Sequence, residues 1–386
     1  KLEVLNNDIF KNLNNIEEIY LFQNYLKSIQ TNNFKPTNIK ILFLFSNKLI
    51  YLKSDNFKNY KSITNLYLNK NQLSKIEAKT FSNSKQMIEI DLSDNCLHSI
   101  KKGMFDELQN LKILNLENNK ISLIEKEGLD FLYSLNELNL NNNLISIIEQ
   151  YYFKSLRNLN KLVLSNNFIK NINKQHLIQL YSLNYLDLSS NPITDLNDSL
   201  IVFKNLKSIY LNSIRIESIK LHDSMKIELF FLNKTSKTLF KSINFNNYLN
   251  LAELDLSYCE LNSEIVSKIP FENMKKLKKL YLKGLNLINH SIDFIFKIPS
   301  LTQLDLSDND IFSNHSFNGI LSNLETLHLL NSSLDTFDGK INISHFSSLK
   351  SLHMSFNKIK FIKLNYFYFS NQIERLNLSH NLIEFI

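Results

Sequence analysis

The stretch LKILNLENNKISLI, residues 111–124, returns as LNELNLNNNLISII at 135–148 and as LNKLVLSNNFIKNI at 159–172. Each copy starts 24 residues after the one before. A fixed period of this length marks a chain of stacked supersecondary units, because one unit alone cannot bury its apolar face. Outward from these copies, the template L-x-x-L-x-L-x-x-N-x-L runs through sixteen units. They begin at Ile16, Ile39, Ile63, Met87, Leu111, Leu135, Leu159, Leu183, Leu206, Ile227, Leu251, Leu277, Leu301, Leu324, Leu349 and Ile373.

Within each unit the L-x-L core alternates with period two, which predicts a short strand with leucines facing in and x residues facing out. Successive strands then lie parallel in one sheet. The Asn that follows, at Asn24, Asn47, Asn71, Asn95, Asn119, Asn143, Asn167 and Asn191, holds one place in eight consecutive units. Chain reversal leaves backbone N–H and C=O groups without ladder partners, and a buried amide both donates and accepts. The Asn column therefore reads as structural, and it resumes at Asn309, Asn357 and Asn381. A second apolar column, Phe34, Phe57, Phe81, Phe105, Leu129, Phe153, Leu177 and Ile201, reads as core of the return segments.

These residues closely resemble the leucine-rich repeat family, and the 24-residue period with a return-segment Phe resembles its "typical" subclass. The resemblance implies an α/β leucine-rich repeat solenoid, a curved horseshoe with a parallel concave β-sheet and irregular, short-helical or extended convex return segments. It also implies an extracellular protein that binds other molecules and does no chemistry. Toll-like receptor ectodomains, chaoptin-like adhesion proteins, Slit-like guidance factors and hormone-receptor ectodomains belong to that subclass.

The chain has 386 residues with few Gly (5) and Pro (4), so no flexible linker stands out. We read residues 1–386 as one array: regular over 16–205, irregular over 206–300, and semi-regular over 301–386. In the middle stretch the Asn position becomes Ile214, Thr235, Cys259 and Leu285, and Ser332 breaks it once more. Ile214 and Leu285 cannot hydrogen-bond the turn through their side chains, so altered curvature or twist is expected between about 206 and 300. No terminal cap, signal peptide or bilayer-length apolar run is apparent, so the array reads as a fragment. Cys96 and Cys259 lie too many units apart for a disulfide, and two lone thiols make no metal site.

The outward column begins Tyr20, Phe43 and Tyr67, with Phe22 and Phe45 two positions on. Those five should form one exposed aromatic patch on three adjacent strands, followed by the acidic Glu89, Asp91 and Asp94. Such density on a solvent face points to protein binding, although burial under N-terminal repeats or ordinary cross-strand pairing accounts for it equally. A smaller cluster is expected from Tyr210, Phe231, Tyr258 and Tyr281. His328 and His353 should be neighbours, with His380 near them; paired imidazoles can make binding pH-dependent, although coincidence among nine His accounts for the grouping better.

Net charge is +7, and the only dense basic run is Lys275, Lys276, Lys278, Lys279 and Lys283. That is a weak footprint, so nucleic acid is not expected as a partner. Sequons for N-glycosylation stand at Asn197, Asn233, Asn289, Asn314, Asn331, Asn342 and Asn377, none before residue 197. No catalytic motif or cofactor signature appears, so no enzyme, cofactor or metal is expected.

The expected function is the ligand-recognition region of an extracellular or cell-surface receptor resembling Toll-like receptors, in innate immune or developmental signalling. A protein ligand or co-receptor would sit on the concave face, with homo- or heterodimerisation, and membrane attachment would come only from segments outside this stretch. The alternatives are a chaoptin-like adhesion or extracellular-matrix protein and an intracellular leucine-rich repeat scaffold.

Overall fold

The structure, a computed structural model, describes the chain apart from residues 7–8, 11, 31–37, 197, 223, 288–291, 313–318, 337–340, 363–366, 368–371 and 385–386. It divides into two compact units, Lys1–Leu206 with Lys220–His222, and Lys207–Ile219 with Asp223–Ile386.

In the first unit eight three-residue strands pair in parallel, from Glu18–Tyr20 and Ile41–Phe43 through to Tyr185–Asp187. The register places Ile19, Leu42, Leu66, Ile90, Leu114, Leu138, Leu162 and Leu186 side by side. All eight are buried, while the residues flanking them in each strand are half-buried or exposed, apart from the buried Val163. The leucines thus form one continuous apolar spine, whose burial is the main stabilising term of a stacked array. The second unit repeats the plan with eight strands, from Ser208–Tyr210 to Arg375–Asn377. The fold is a leucine-rich repeat solenoid.

Each strand ends in a tight reversal. In the first unit the residue before each Asn (Gln23, Ser46, Lys70, Asp94, Asn118, Asn142, Asn166 and Ser190) has a left-handed backbone, φ between 52 and 56°. That conformation costs an L-residue roughly 1–2 kcal/mol. The turn recovers it by extending the ladder: Ser46 N–H donates to Asn69 O at 2.9 Å, and Asp94 N–H to Glu117 O at 2.9 Å.

The Asn side chain then joins each unit to the one before. Asn47 Oδ1 accepts the N–H of Leu26 at 3.0 Å, and its Nδ2 donates to Leu21 O at 2.9 Å and to its own turn at Leu44 O, 3.0 Å. Asn119 repeats the set on Leu97, Leu92 and Leu116, and Asn191 on Ile169, Leu164 and Leu188.

In the second unit substitutes fill the vacant amide positions. Cys259 Sγ donates to Leu232 O at 3.0 Å, the bond an Asn amide would otherwise make, and Thr235 Oγ1 donates to the same carbonyl at 2.7 Å. Leu285 has no polar side-chain atom, and its backbone N–H is taken instead by Asn309 Oδ1. Ser332 N–H is held likewise by Asn357 Oδ1 at 2.8 Å. Ile214 is fully buried, so its place in the column is apolar core.

Return segments are short. They hold the helices Lys174–Leu177 and Ser263–Ser267, 3-10 turns such as Leu239–Lys241 and Phe245–Asn247, and two-residue ladders at Tyr51–Leu52 with Lys75–Ile76 and Ser99–Ile100 with Leu123–Ile124. Asn173 caps the first helix by accepting from Gln175 and His176 N–H. Phe57, Phe81, Phe105, Leu129, Phe153 and Leu177 are buried. Ile201, expected in that core column, is half-buried; Leu200 and Phe203 occupy the core there. Phe34 lies outside the described residues.

Candidate recognition face on the strand surface

Outward side chains of parallel strands in register stand directly beside one another, so like residues at the same position stack. Tyr20 stacks on Phe43 with ring centroids 4.6 Å apart and planes within 9°, and Phe43 stacks on Tyr67 at 4.9 Å and 7°. A second row runs alongside, with Phe22 on Phe45 at 4.6 Å and 5°. The rows meet edge to face, Tyr20 with Phe22 at 6.3 Å and Phe43 with Phe45 at 6.4 Å.

The five residues do come together, but not as an open aromatic plate. Stacking covers the inner ring faces and leaves the edges toward solvent: Phe43, Phe45 and Tyr67 are half-buried, while Tyr20 is 58% and Phe22 38% exposed. The surface is a ribbed apolar ridge, with positive ring edges outward.

Beyond Tyr67 the face becomes acidic. Glu89 Oε2 accepts from the Tyr67 hydroxyl at 2.9 Å and from Asn65 Nδ2 at 2.8 Å. Burial and then this bond to Glu89 raise the Tyr67 hydroxyl above its ordinary pKa, so it stays a donor. Asp91 accepts from Ser93 N–H at 2.9 Å and Ser93 Oγ at 2.7 Å, and its half-buried carboxyl is pushed up by desolvation. Asp94 accepts from Asn118 Nδ2 at 2.8 Å.

An amide field follows that the period-two reading passed over. Glu117 binds Asn139 Nδ2 at 3.0 Å and Asn141 Nδ2 at 2.8 Å, and Asn141 Oδ1 accepts from Ser165 Oγ and Asn166 Nδ2, each at 2.9 Å. Glu117, Asn141 and Ser165 stand two positions after their strands' last residues, the column that also holds Phe22 and Phe45, whereas Asn139 ends its strand and Asn166 is the left-handed turn residue.

In the second unit the expected aromatic cluster separates. Tyr210 stacks on Phe231 at 4.4 Å. Tyr281 lies beyond Asp255 in the register, near Glu253, its hydroxyl pKa raised by burial and then by that carboxylate. Tyr258 occupies the left-handed turn position, φ 54°, which swings its ring away from the strand column. Its hydroxyl donates to Asp308 Oδ2 at 2.5 Å, and the ammonium groups of Lys283 and Lys234 stand 5.6 and 5.9 Å from its ring centre.

His328 and His353 stack at 4.5 Å, whereas His380 pairs with Phe356 at 4.3 Å because both occupy left-handed turn positions. Burial holds the His328 imidazole below its ordinary pKa; Asp305 opposes this, while His353 and Lys283 add to it.

In the basic run, Lys279 pairs with Glu253 at 3.3 Å and Lys283 with Asp308 at 3.4 Å. Of the sequons, Asn331 and Asn342 are exposed. Asn233 and Asn377 are half-buried on the second unit's sheet face; Asn377 Oδ1 accepts from Ser379 Oγ at 2.8 Å. Asn197, Asn289 and Asn314 lie outside the described residues. Among the described residues no group of His, Cys, Asp and Glu is arranged to hold a metal ion, and no helix is long and apolar enough to cross a membrane.

Parallel three-residue strands, a left-handed reversal and an Asn ladder define a protein class by geometry alone. The fold is that of leucine-rich repeat proteins, and the family model described as "Leucine rich repeat" matches residues 61–121, 87–145 and 133–193. Receptor-like protein 6 of Arabidopsis thaliana is 34% identical over 120 residues, covering 30% of this chain and 12% of the relative. Osteomodulin of Bos taurus is 28% identical over 184 residues, 47% of this chain and 41% of the relative. The chain therefore spans less than half the length of these curated relatives. Among solved structures, the TLR13–ssRNA13 complex aligns with a TM-score of 0.59 and 25% identity over 89% of this chain and 51% of that one. That complex contains a single-stranded RNA, so the expectation against nucleic acid as a partner gains no support.

Proposed function

We propose that this chain is a non-enzymatic recognition module, extracellular or at the cell surface, whose first-unit sheet face takes a protein ligand. The observation carrying this reading is the doubled ring row Tyr20–Phe43–Tyr67 and Phe22–Phe45, which runs into the Glu89 and Asp91 carboxylates. An apolar ridge beside fixed acceptors suits a partner that brings apolar side chains and a basic group. Receptor-like relatives support a receptor role, and the likeness to TLR13 supports the Toll-like version of it.

A single-stranded RNA ligand would stack its bases on open ring faces. Here the inner faces cover one another, which favours a protein. The test displays the chain as a bivalent fusion and compares binding to cells and to single-stranded RNA for the parent and for Phe43→Asp with Phe45→Asp. Cell binding lost with unfolding unchanged supports the reading. Unchanged cell binding, or binding of RNA alone, sinks it.

A further inference from the structure

A separate feature lies in the second unit, away from the strand face. The return segments of two consecutive repeats border an open cavity of about 360 Å³ between the 3-10 turns Leu239–Lys241 and Phe245–Asn247 and the helix Ser263–Ser267. That volume lies within the range of about 300–1,000 Å³ typical of small-molecule sites. Its walls include Phe240, Ile243, Phe245 and Ile269, core residues that each keep a sliver of surface toward the opening. Phe240 and Phe245 stack at 6.4 Å, which fixes the apolar wall.

The rim is cationic. Lys237, Lys241 and Lys268 all line the cavity, and none of its lining residues is acidic. Lys268 is already paired with Glu264 at 2.6 Å. Lys237 and Lys241 form no ion pair among the described residues and project into solvent beside the mouth. Asn244 and Asn246 line the same rim, and Asn244 Oδ1 accepts the Asn246 N–H at 3.2 Å. An apolar slot with two uncommitted ammonium groups at its mouth matches one ligand shape, a hydrocarbon tail ending in an anion.

We propose that this cavity binds an anionic amphiphile, a medium-chain carboxylate, with the tail against Phe240, Ile243 and Phe245 and the head group between Lys237 and Lys241. The site is independent of the protein-recognition face, since every lining residue belongs to the second unit.

The experiment titrates the full chain with decanoate below its micelle concentration, with decanol and decyltrimethylammonium as controls, by calorimetry. Decanoate should bind one to one, about tenfold or more tighter than decanol, and Lys237→Glu with Lys241→Glu should remove that advantage without moving the unfolding midpoint. Ile265→Trp, which fills the mouth and leaves every lysine in place, should abolish binding. Failure of decanoate to bind, equal binding of the cationic control, or charge reversal without effect on affinity each overturns the proposal.

Discussion

Asn309 Oδ1 accepts the backbone N–H of Leu285 at 3.0 Å while also holding that of Leu287 at 3.0 Å. Asn119, in the regular stretch, accepts only the Leu97 N–H at 3.0 Å. Removing Asn309 therefore orphans one buried N–H more. Asn119→Ala should cost about 2–3 kcal/mol and Asn309→Ala about 1–3 kcal/mol beyond that. Urea unfolding of the two variants compares them directly; equal losses would show that the shared oxygen does not compensate for Leu285.

Phe43 has a ring on each side, whereas Tyr20 has a stacked partner on one side only among the described residues. At about 0.5–1.5 kcal/mol for each aromatic pair beyond burial, Phe43→Ala should destabilise the first unit about twice as much as Tyr20→Ala. Chemical denaturation followed by tyrosine fluorescence reads the difference. A larger loss at Tyr20 would mean that the ladder is not held by stacking.

Gly284, φ 63°, carries the turn onto which the Tyr258 ring packs, and a Cβ there would stand 2.4 Å from Tyr258 Cδ1. Gly284→Ala adds left-handed strain of roughly 1–2 kcal/mol and forces the ring off Asp308. The Asp308 carboxyl, raised by burial but held below its usual range overall by Tyr258, Asn331 and Lys283, should then titrate higher. Carboxyl resonances followed by NMR across acid pH report this; an unmoved Asp308 titration contradicts the contact.

The stacked imidazoles give a pH dependence with a definite sign. His328 titrates below its ordinary 6.5 in the fold, so between that lowered value and 6.5 the unfolded chain binds more protons. Stability from this group is complete above about pH 6.5 and is lost as pH falls through the window. The urea midpoint of the second unit should drop between pH 7.5 and 5.5, and His328→Gln should flatten that slope. A steeper slope in the variant would assign the effect elsewhere.

The spine from Ile19 to Leu186 and the Asn ladder were legible because both follow from one buried atom type at one spacing. The left-handed position was not, since Gln, Ser, Lys, Asp, Asn, Tyr and Phe all occupy it and only the backbone marks it. For that reason the sequence spacing groups Tyr258 with Tyr210 and Phe231, and His380 with His353, where the left-handed backbone separates them. Stacking was half legible. Register brought the rings together on paper, but the face-to-face geometry that hides their planes comes from side-chain rotamers that no spacing encodes.

The Asn bonds also have a direction. Asn47 supports Leu26, Asn119 supports Leu97 and Asn381 supports Ile359, always the turn that precedes it in the chain. Peeling a turn from the C-terminal side strips the N–H anchor from its predecessor. Loss of one from the N-terminal side leaves each remaining amide still bonded to its own turn. Such an array should unravel more readily from its C-terminal edge, so growth by added repeats on that side seals the turn before it.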